Sequence, residues 1–425
     1  MSDTIFALSS GAPPAAIAVI RISGPQASEA LERLAGRLPG VRRASLLPLC
    51  DRGGELLDEA LVLWLSGPGT ATGEDMVELH CHGGRAVVVA VEAELGRCPG
   101  LRRAAPGEFT RRAFANGRID LAEAEGLADL LSAETELQRR SALAMAGGAF
   151  SQEVEAWRES LLALSAAVEA VLDFSDEDDV ALLPPDFATR VGQLRDLIGE
   201  WLVRPRAETL KEGYRVVLAG PPNTGKSTLF NALVEHEAAI ATPIAGTTRD
   251  VLTRPVALDG VPFLFVDTAG LREEVGDTVE AIGVERARDA VEQADLVLWL
   301  GAEGGGPLEA WEVEPQADRA DHPTKRDPRH RVSAVTGEGL AELRSDLLQT
   351  ARMALPKPGD AALNDRQHEL LFQAEAVLGF AATVDDPLLV AENLRLARVA
   401  LDALVGRTTT EDMLDMLFGR FCIGK

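Results

Sequence analysis

The sequence predicts a multidomain chain of α and α/β type: an N-terminal α+β module, a discontinuous helical domain, and an α/β domain inserted into the helical one. Three changes of texture along the 425 residues carry this expectation. Short β-like runs cut by Gly/Pro turns come first and a helical period follows. Alternating strand-like and helix-like segments then interrupt that period before it returns. At about 150 residues per domain the length accommodates three such units. The boundaries read as 1–117 for the first module, 118–211 and 351–425 for the two helical parts, and 212–350 for the insert.

In the first module the runs Ala16–Ile22, Leu61–Leu65 and Met76–Leu79 read as strands, and Ala86–Leu95 as a helix. Turns at Gly11–Pro14, Gly67–Gly69 and Gly83–Gly84 separate them. In 118–211, Leu121, Ala124, Leu127, Leu130 and Leu131, then Val154, Trp157, Leu161, Leu164 and Val168, recur at three and four, the spacing of a helix face. Within 212–350 the strands Arg215–Ala219, Phe263–Val266 and Asp295–Leu300 alternate with helical stretches, which implies a parallel sheet. Gly304–Gly306 reads as a short flexible loop. Beyond Pro356 and Pro358 the helical period resumes in His368–Phe380 and Leu388–Leu404. Thr409 followed by Asp412 marks a helix start leading into Met413–Phe418.

Composition narrows the function. With 46% hydrophobic and 26% charged residues the chain is not disordered as a whole. No apolar run reaches the roughly 18 residues of a membrane span, and Met1 to Ile5 lacks the basic start of a signal peptide, so a cytoplasmic protein away from membranes is expected. The four cysteines, Cys50, Cys81, Cys98 and Cys422, form no CxxC, which argues against a disulfide framework or zinc ribbon. Set against 42 Lys+Arg, 67 Asp+Glu give a net charge of −25, a surface that repels polyphosphate. Any nucleic-acid substrate needs a local basic patch or a partner that supplies one.

The chemistry lies in the insert. The strand Arg215–Ala219 runs into Gly220-Pro-Pro-Asn223-Thr224-Gly225-Lys226-Ser227-Thr228, the GxxxxGK[ST] phosphate loop. Its glycines let backbone N–H groups curl round a β-phosphate, and the helix N-terminus adds its positive end. Lys226 is expected on the β and γ oxygens and Ser227 on Mg²⁺. At a second strand end, Asp267-Thr268-Ala269-Gly270 places Asp267 to hold Mg²⁺ through water and the Gly270 N–H to sense the γ-phosphate. Between them lies a loop, Thr242, Pro243, Ile244, Ala245, Gly246, Thr247 and Thr248, whose Thr248 suits a second Mg²⁺ contact. Ser333-Ala334 resembles the base-contacting loop of a GTPase. Together these residues make the insert a P-loop nucleoside-triphosphate switch.

Guanine choice has two candidates, since the usual Asn-Lys-x-Asp is missing: Pro315-Gln-Ala-Asp318 and Thr324-Lys-Arg-Asp327. Parallel strands need a crossover of about a dozen residues. Asp327 leaves too few residues before Ser333, whereas Asp318 follows the strand-like Trp311–Glu314 and leaves room. Geometry favours Asp318, with Asp327 the alternative; Gln316 brings no ammonium where the usual Lys stands. The position that often carries a water-orienting Gln is Leu271, so hydrolysis needs another group, and Glu273, Glu274, Asp277 and Glu280 are all near.

Asn223, Gly246–Asp250, Asp267–Arg272 and the terminal Phe421-Cys-Ile-Gly-Lys425 resemble the MnmE (TrmE) family of tRNA-modification GTPases. Val19–Gly24, Thr72–Asp75, His82–Gly84 and Pro106–Phe109 match the same family, so the resemblance spans essentially the whole chain. It implies GTP hydrolysis with Mg²⁺, activated by K⁺ and by G-domain dimerisation. Asn223 with oxygens at Thr242, Ile244 and Thr247 would form the K⁺ site, and Glu280 would orient the water. It implies that the first module binds a tetrahydrofolate derivative (5-formyl or 5,10-methylene form) through Arg21, Glu78 and Arg118, with Lys425 alongside, and forms a constitutive homodimer. Cys422 would lie near the folate and matter for modification. The reaction implied is addition of a carboxymethylaminomethyl-type group to C5 of the wobble uridine (position 34) of certain tRNAs. An FAD-dependent, MnmG/GidA-like partner would share it and supply the main tRNA contact. Where many members carry Gly-Arg-Gly-Gly, this chain has Pro14-Ala-Ala16.

Taken alone, Arg21, Glu78 and Arg118 would be surface ion-pair residues and Cys422 a small buried hydrophobe. His80-Cys81-His82 is not a three-ligand metal site, because in a strand Cys81 points away from the two histidines. The competing readings are a ribosome-assembly or regulatory P-loop GTPase without modification chemistry, and a metabolic kinase or ATPase. The first should carry an RNA-binding module with a Gly-x-x-Gly loop and a basic face.

Overall fold

The computed structural model describes residues 3–173, 183–234, 252–268, 288–322, 324–408, 410–419 and 421–424. The chain divides into two compact units, Met1–Ala128 with Asp402–Lys425, and Asp129–Leu401.

The first unit is built on a six-stranded sheet ordered β3-β4-β5-β2-β1-β6. Its strands are β1 (Thr4–Leu8), β2 (Ile17–Ser23), β3 (Ser45–Cys50), β4 (Leu56–Leu65), β5 (Met76–His82) and β6 (Leu101–Arg103). All neighbours are antiparallel except β1 and β6. Alternation sorts the two faces. Ile20, Ile22, Val62 and Leu79 point inward and are fully buried beneath α1 (Ala27–Ala35) and α2 (Arg85–Gly96), each side chain contributing about 1.5–3 kcal/mol. Ile17, Arg21, Leu61, Glu78 and His80 share the opposite face. β3, which the sequence reading did not include, contains Pro48. It is an edge strand, where a missing N–H is tolerated.

This unit also holds α3 (Glu108–Ala115) and the start of α4 (Leu121–Ser132), the latter continuing past Ala128. Arg112 of α3 is fully buried; it donates to the carboxylates of Asp3 (2.9 Å), Glu74 (3.1 Å) and Glu108 (3.1 Å). Leu121 and Ala124 pack with Leu414, Phe418 and Phe421 of the C-terminal segment. The terminal helix is Glu411–Phe418 with Thr410 at its N-cap, one residue later than the sequence suggested, and Thr410 makes no side-chain cap bond. Thr409 lies outside the described residues.

In the second unit, α5 (Glu136–Ala146) begins in a Thr135/Gln138 capping box. α6 (Ala149–Asp173), α7 (Phe187–Leu202) and α8 (Ala207–Glu212) follow. The α6 stripe Phe150, Val154, Trp157, Leu161, Leu164, Val168 and Val171 is buried, with Phe150 and Trp157 clustered on Trp201 of α7. α7 packs on the later helix Asp365–Ala381. The Ser141 hydroxyl donates to the Asp360 carbonyl (2.8 Å) and the Ala207 N–H to that of Leu363 (2.9 Å), so helical segments from before and after the α/β part meet.

The α/β part has the sheet order β12-β11-β10-β7-β9-β8. The strands are β7 (Tyr214–Ala219), β8 (Leu252–Leu258), β9 (Val261–Asp267), β10 (Leu296–Trp299), β11 (Trp311–Glu314) and β12 (His330–Arg331). Only β8, an edge strand containing Pro255, runs antiparallel. β7 is central, with β9 on one side and β10 on the other. The chain therefore reverses direction across the sheet beside β7, and the crevice at its carboxyl end is where open α/β sheets bind ligands. The helices α9 (Lys226–Val234) and Leu340–Ala354 contribute Leu229, Phe230, Leu343 and Leu347 to the core around Phe263 and Phe265. The glycines of 304–306 are not merely flexible, because a side chain at Gly306 would strike the Trp299 ring (2.7 Å). Among the described residues no helix is long and apolar enough to cross a membrane.

Candidate functional site

β7 ends at Ala219 and the chain turns through Gly220 to Gly225 before α9 begins at Lys226. The turn needs left-handed backbone at Asn223 (φ 62) and Gly225 (φ 89). Asparagine tolerates that region better than other side chains. The Thr224 hydroxyl ties back to the Pro221 carbonyl (3.0 Å). Lys226 is 4% exposed, and its ammonium donates to the carbonyls of Gly220 (3.0 Å) and Pro221 (2.7 Å). The lysine is thus folded over its own loop, held by neutral acceptors that a phosphate oxygen would outcompete. Ser227 and Thr228 are exposed in the first turn of α9.

On the neighbouring strand Asp267 is level with Leu218 of β7 and fully buried. Thr268 donates its hydroxyl to the Leu218 carbonyl (2.8 Å), pinning the end of β9 to β7. A hydroxyl at Ser227 and a carboxylate at Asp267 flank one loop. Such hard oxygen donors fit Mg²⁺ rather than a softer metal.

A cavity of about 180 Å³ lies beside this loop, lined by Gly225, Thr228, Gln316, Asp318, Ala334 and Val335 among others. Asp318 accepts a hydrogen bond from the Ser333 hydroxyl (2.6 Å), which holds its carboxyl below the usual range and keeps it an acceptor. The cavity therefore joins three sequence-derived groups, the phosphate loop, Asp318 and Ser333-Ala334. β11 pairs in parallel with β12 through Val313 and His330, so the crossover occupies the residues between them. Asp327 is not among the lining residues; its backbone N–H is bonded to the Glu303 carboxylate (3.1 Å).

Gln316 departs from expectation. It lacks an ammonium, yet its amide donates to the Asn223 carbonyl at 3.5 Å and lies against Gly225. A neutral side chain thus connects this cavity and the phosphate loop. Sequence reasoning also missed Arg319 and Val335 in the lining; a one-residue window around an irregular motif carries no signal for them.

In the first unit, Arg21 and Glu78 face each other across β2 and β5 and form an ion pair at 2.8 Å. The Arg21 guanidinium also lies over the Phe109 ring at 5.8 Å. Arg118 donates to the Thr70 carbonyl (3.2 Å) on the loop leading to β5. The C-terminal tail passes close by: Ile423 bridges to Pro106, and Gly424 sits so close to β1 that a side chain would fall 2.1 Å from the Leu8 carbonyl oxygen. Cys422 is exposed there. Cys81 is buried, and burial beside Asp58 pushes its thiol up to about 12, far from a thiolate ligand. Among the described residues no group of three His, Cys, Asp or Glu could hold a metal ion.

Thr242, Pro243, Ile244, Ala245, Gly246, Thr247, Thr248, Ala269, Gly270, Glu280 and Lys425 lie outside the described residues.

The family described as the MnmE helical domain matches residues 121–422, and the GTP-binding protein TrmE N-terminus matches residues 4–118. The tRNA modification GTPase MnmE of Novosphingobium aromaticivorans is 66% identical over 437 residues, covering 100% of both chains. Its counterpart in Erythrobacter litoralis is 64% identical, again over 100% of both. That of Rhizorhabdus wittichii is 59% identical, over 100% of this chain and 97% of the relative.

Proposed function

The chain belongs to the MnmE family of tRNA modification GTPases, and from that premise we propose that it hydrolyses GTP to time a modification at C5 of the wobble uridine of certain tRNAs. It is a GTP-hydrolysing enzyme of tRNA modification; the wobble position, the one-carbon donor and the partner are the proposed part. The observation that carries the reading is the coexistence of two equipped places in one chain. One is a phosphate loop opening onto a base cavity with Asp318. The other is a C-terminal tail with an exposed Cys422 seated beside the sheet that bears Arg21 and Glu78.

In the insert, Lys226 and the Gly220–Gly225 backbone receive the β and γ phosphates, and Asp318 with Ser333-Ala334 reads the base. Ser227 and Thr248 would hold Mg²⁺, with Asp267 acting through water. Asn223, with Thr242, Ile244 and Thr247, would hold K⁺; its exposed carboxamide is a hard oxygen donor. A monovalent cation there supplies the positive charge that an arginine from an activating protein would otherwise bring to the β–γ bridge. Glu280 would orient the attacking water. Thr248 and Gly270 would sense the loss of the γ-phosphate, so hydrolysis drives closure and reopening rather than bond formation on the base.

In the first module, Arg21, Glu78, Arg118 and Lys425 would bind a tetrahydrofolate derivative. A cation suits the glutamate tail and a carboxylate the pterin N–H edge, and the Phe109 contact fixes the Arg21 plane. The sheet face with Ile17 at 57% and Leu61 at 40% exposure supports a homodimer. The net charge of −25 supports leaving the main tRNA contact to an FAD-dependent partner. The architecture proposed is an N-terminal folate and dimer module (1–117), helical parts (118–211, 351–425) and a GTPase domain (212–350) working in the cytoplasm.

Mass spectrometry of wobble uridines from a strain lacking this protein tests the reading. C5-carboxymethylaminomethyl-type groups should disappear and return on complementation; an unchanged nucleoside profile refutes it. Hydrolysis should also run at least about tenfold faster in KCl than in NaCl at equal ionic strength; equal rates remove the K⁺ assignment.

A further inference from the structure

We infer that His322 is a positioning residue for guanine recognition: its imidazolium closes the loop that carries Asp318, and guanine-nucleotide affinity falls when the ring loses its proton. The inference rests on the reading of Asp318 as the base contact and goes beyond it, since no motif places a histidine here.

The loop leaves β11 at Glu314, turns through left-handed backbone at Gln316 (φ 59), and presents Asp318 to the cavity. It then folds back so that the His322 ring lies between two acceptors. Nδ1 is hydrogen-bonded to the Arg319 carbonyl oxygen, and Nε2 lies 3.0 Å from Oε1 of Glu314. A carbonyl has no proton to give, and neither has an ionised carboxylate. Both ring nitrogens must therefore donate, which only the doubly protonated ring does. The Glu314 side chain is 4% exposed, so its bond to Nε2 is partly shielded from water, whereas the Nδ1 bond to Arg319 lies at the surface.

The charged surroundings favour that state. Burial pushes the Glu314 carboxyl up. The His322 ring, the Lys325 N–H (2.7 Å) and Arg331 of β12 (3.5 Å) outweigh it and hold the group below the carboxylate range. The Lys325 ammonium is turned away, onto Glu312 and the Trp299 carbonyl. Within the loop, Arg319 pairs with Asp321 at 3.5 Å and Asp318 adds negative charge near the ring. The Glu314 hydrogen bond, followed by the Arg319 carbonyl, raises the imidazole above its ordinary value.

The sign follows from linkage. A raised folded-state pKa means that the closure is complete below the ordinary imidazole value and is lost as pH climbs through the raised one. The neutral ring must turn a lone pair toward one acceptor, which frees either the strand end or the Arg319 turn. Asp318 lies between those two anchors. Other bonds on this segment are the Ser333 hydroxyl to Asp318, the Ala317 N–H to the Val332 carbonyl (3.1 Å), the Arg319 N–H to the Gln316 carbonyl (3.0 Å) and the Gln316 amide to the Asn223 carbonyl (3.5 Å).

The test measures fluorescent-GDP affinity of the full chain from about pH 6 to about pH 8.5, a window spanning imidazole titration. The proteins are wild type, His322→Gln and His322→Arg, each with its melting temperature recorded. Wild-type affinity should fall about three- to tenfold across the window, the loss of one charge-assisted hydrogen bond. H322Q should be flat at the weak level and H322R flat at the tight level. If H322Q melts within the window, Glu314→Gln replaces it and should move the fall in affinity to lower pH, because the imidazole loses the carboxylate that raises it; an unmoved fall overturns the inference. Wild-type and folded-variant profiles that superpose overturn the inference. Asp318→Ala should weaken GDP binding at every pH. If it binds like wild type, the base-cavity reading fails and the inference falls with it; superposed profiles with a weakened D318A reject His322 alone.

Discussion

Replacing Gly424 by alanine separates the seat of the C-terminal tail from everything else in the protein. Gly424 has φ 94, where an L side chain costs about 1–2 kcal/mol. Its new Cβ would stand 2.1 Å from the Leu8 carbonyl oxygen, a backbone atom that cannot swing aside. Relief needs a separation of about 1 Å or more, which the tail is weakly equipped to resist. Beyond Phe421 it is held by the Pro106–Ile423 bridge, whose bond from the Gly107 N–H to the Cys422 carbonyl is long at 3.5 Å and contributes about 1 kcal/mol at most. Phe421, 5% exposed, anchors the preceding residue with about 2 kcal/mol. The clash therefore exceeds the hold on residues 422–424 but not the hold on Phe421. The tail should lift from Cys422 onward while the helix Glu411–Phe418 stays in place. Hydrogen exchange at the Gly107 amide, which donates to the Cys422 carbonyl, should quicken, with the melting temperature within about 2 °C of wild type. GTP turnover should be unchanged and wobble modification should fall about a hundredfold, as misplacement by an ångström does elsewhere. Unaltered amide protection together with full modification would refute the argument.

Lys226→Ala should reduce GTP turnover at least about a hundredfold; single-turnover assays check this. Asp318→Asn should shift preference from GTP toward XTP, whereas Asp327→Asn should not, read as the ratio of kcat/KM values; a shift with the second variant alone would reverse the assignment. Burial raises the Glu108 carboxyl, but hydrogen bonds from Arg102, the Ala105 N–H and Arg112 prevail and leave it below its ordinary 4.5. The stability it contributes is present above that value and lost as pH falls through the lowered one. In acid melts, Glu108→Gln should therefore lose less stability than wild type between about pH 5 and about pH 3.

Much of this was legible where local pattern and local function coincide. The strand before Gly220, the loop to Lys226 and the helix after it form one contiguous signal, and the structure places them in that order. The choice of Asp318 over Asp327 came from crossover length, and β11 and β12 lie where that argument needs them. What escaped depends on contacts the chain does not advertise. β3 and β8 carry prolines that read as breaks, and only their edge positions make those prolines harmless. Gln316 was discounted for lacking a charge, but a long amide reaches the Asn223 carbonyl, and reach is set by the turn, not by the residue type. Arg112 looks like a helix-surface arginine until Asp3, Glu74 and Glu108, scattered over the first unit, converge on it.

The meeting of helix Phe187–Leu202 with helix Asp365–Ala381 has a consequence for biogenesis. The apolar stripe of Val191, Leu194 and Ile198 leaves the ribosome about 160 residues before the helix that packs on it, on the order of 8 to 30 s of synthesis. During that interval the nascent chain must either complete the intervening nucleotide-binding sheet first or shelter the stripe with a chaperone. Ribosome profiling of trigger-factor occupancy should therefore rise once that stripe clears the exit tunnel and decline only after Leu371 and Leu378 have emerged.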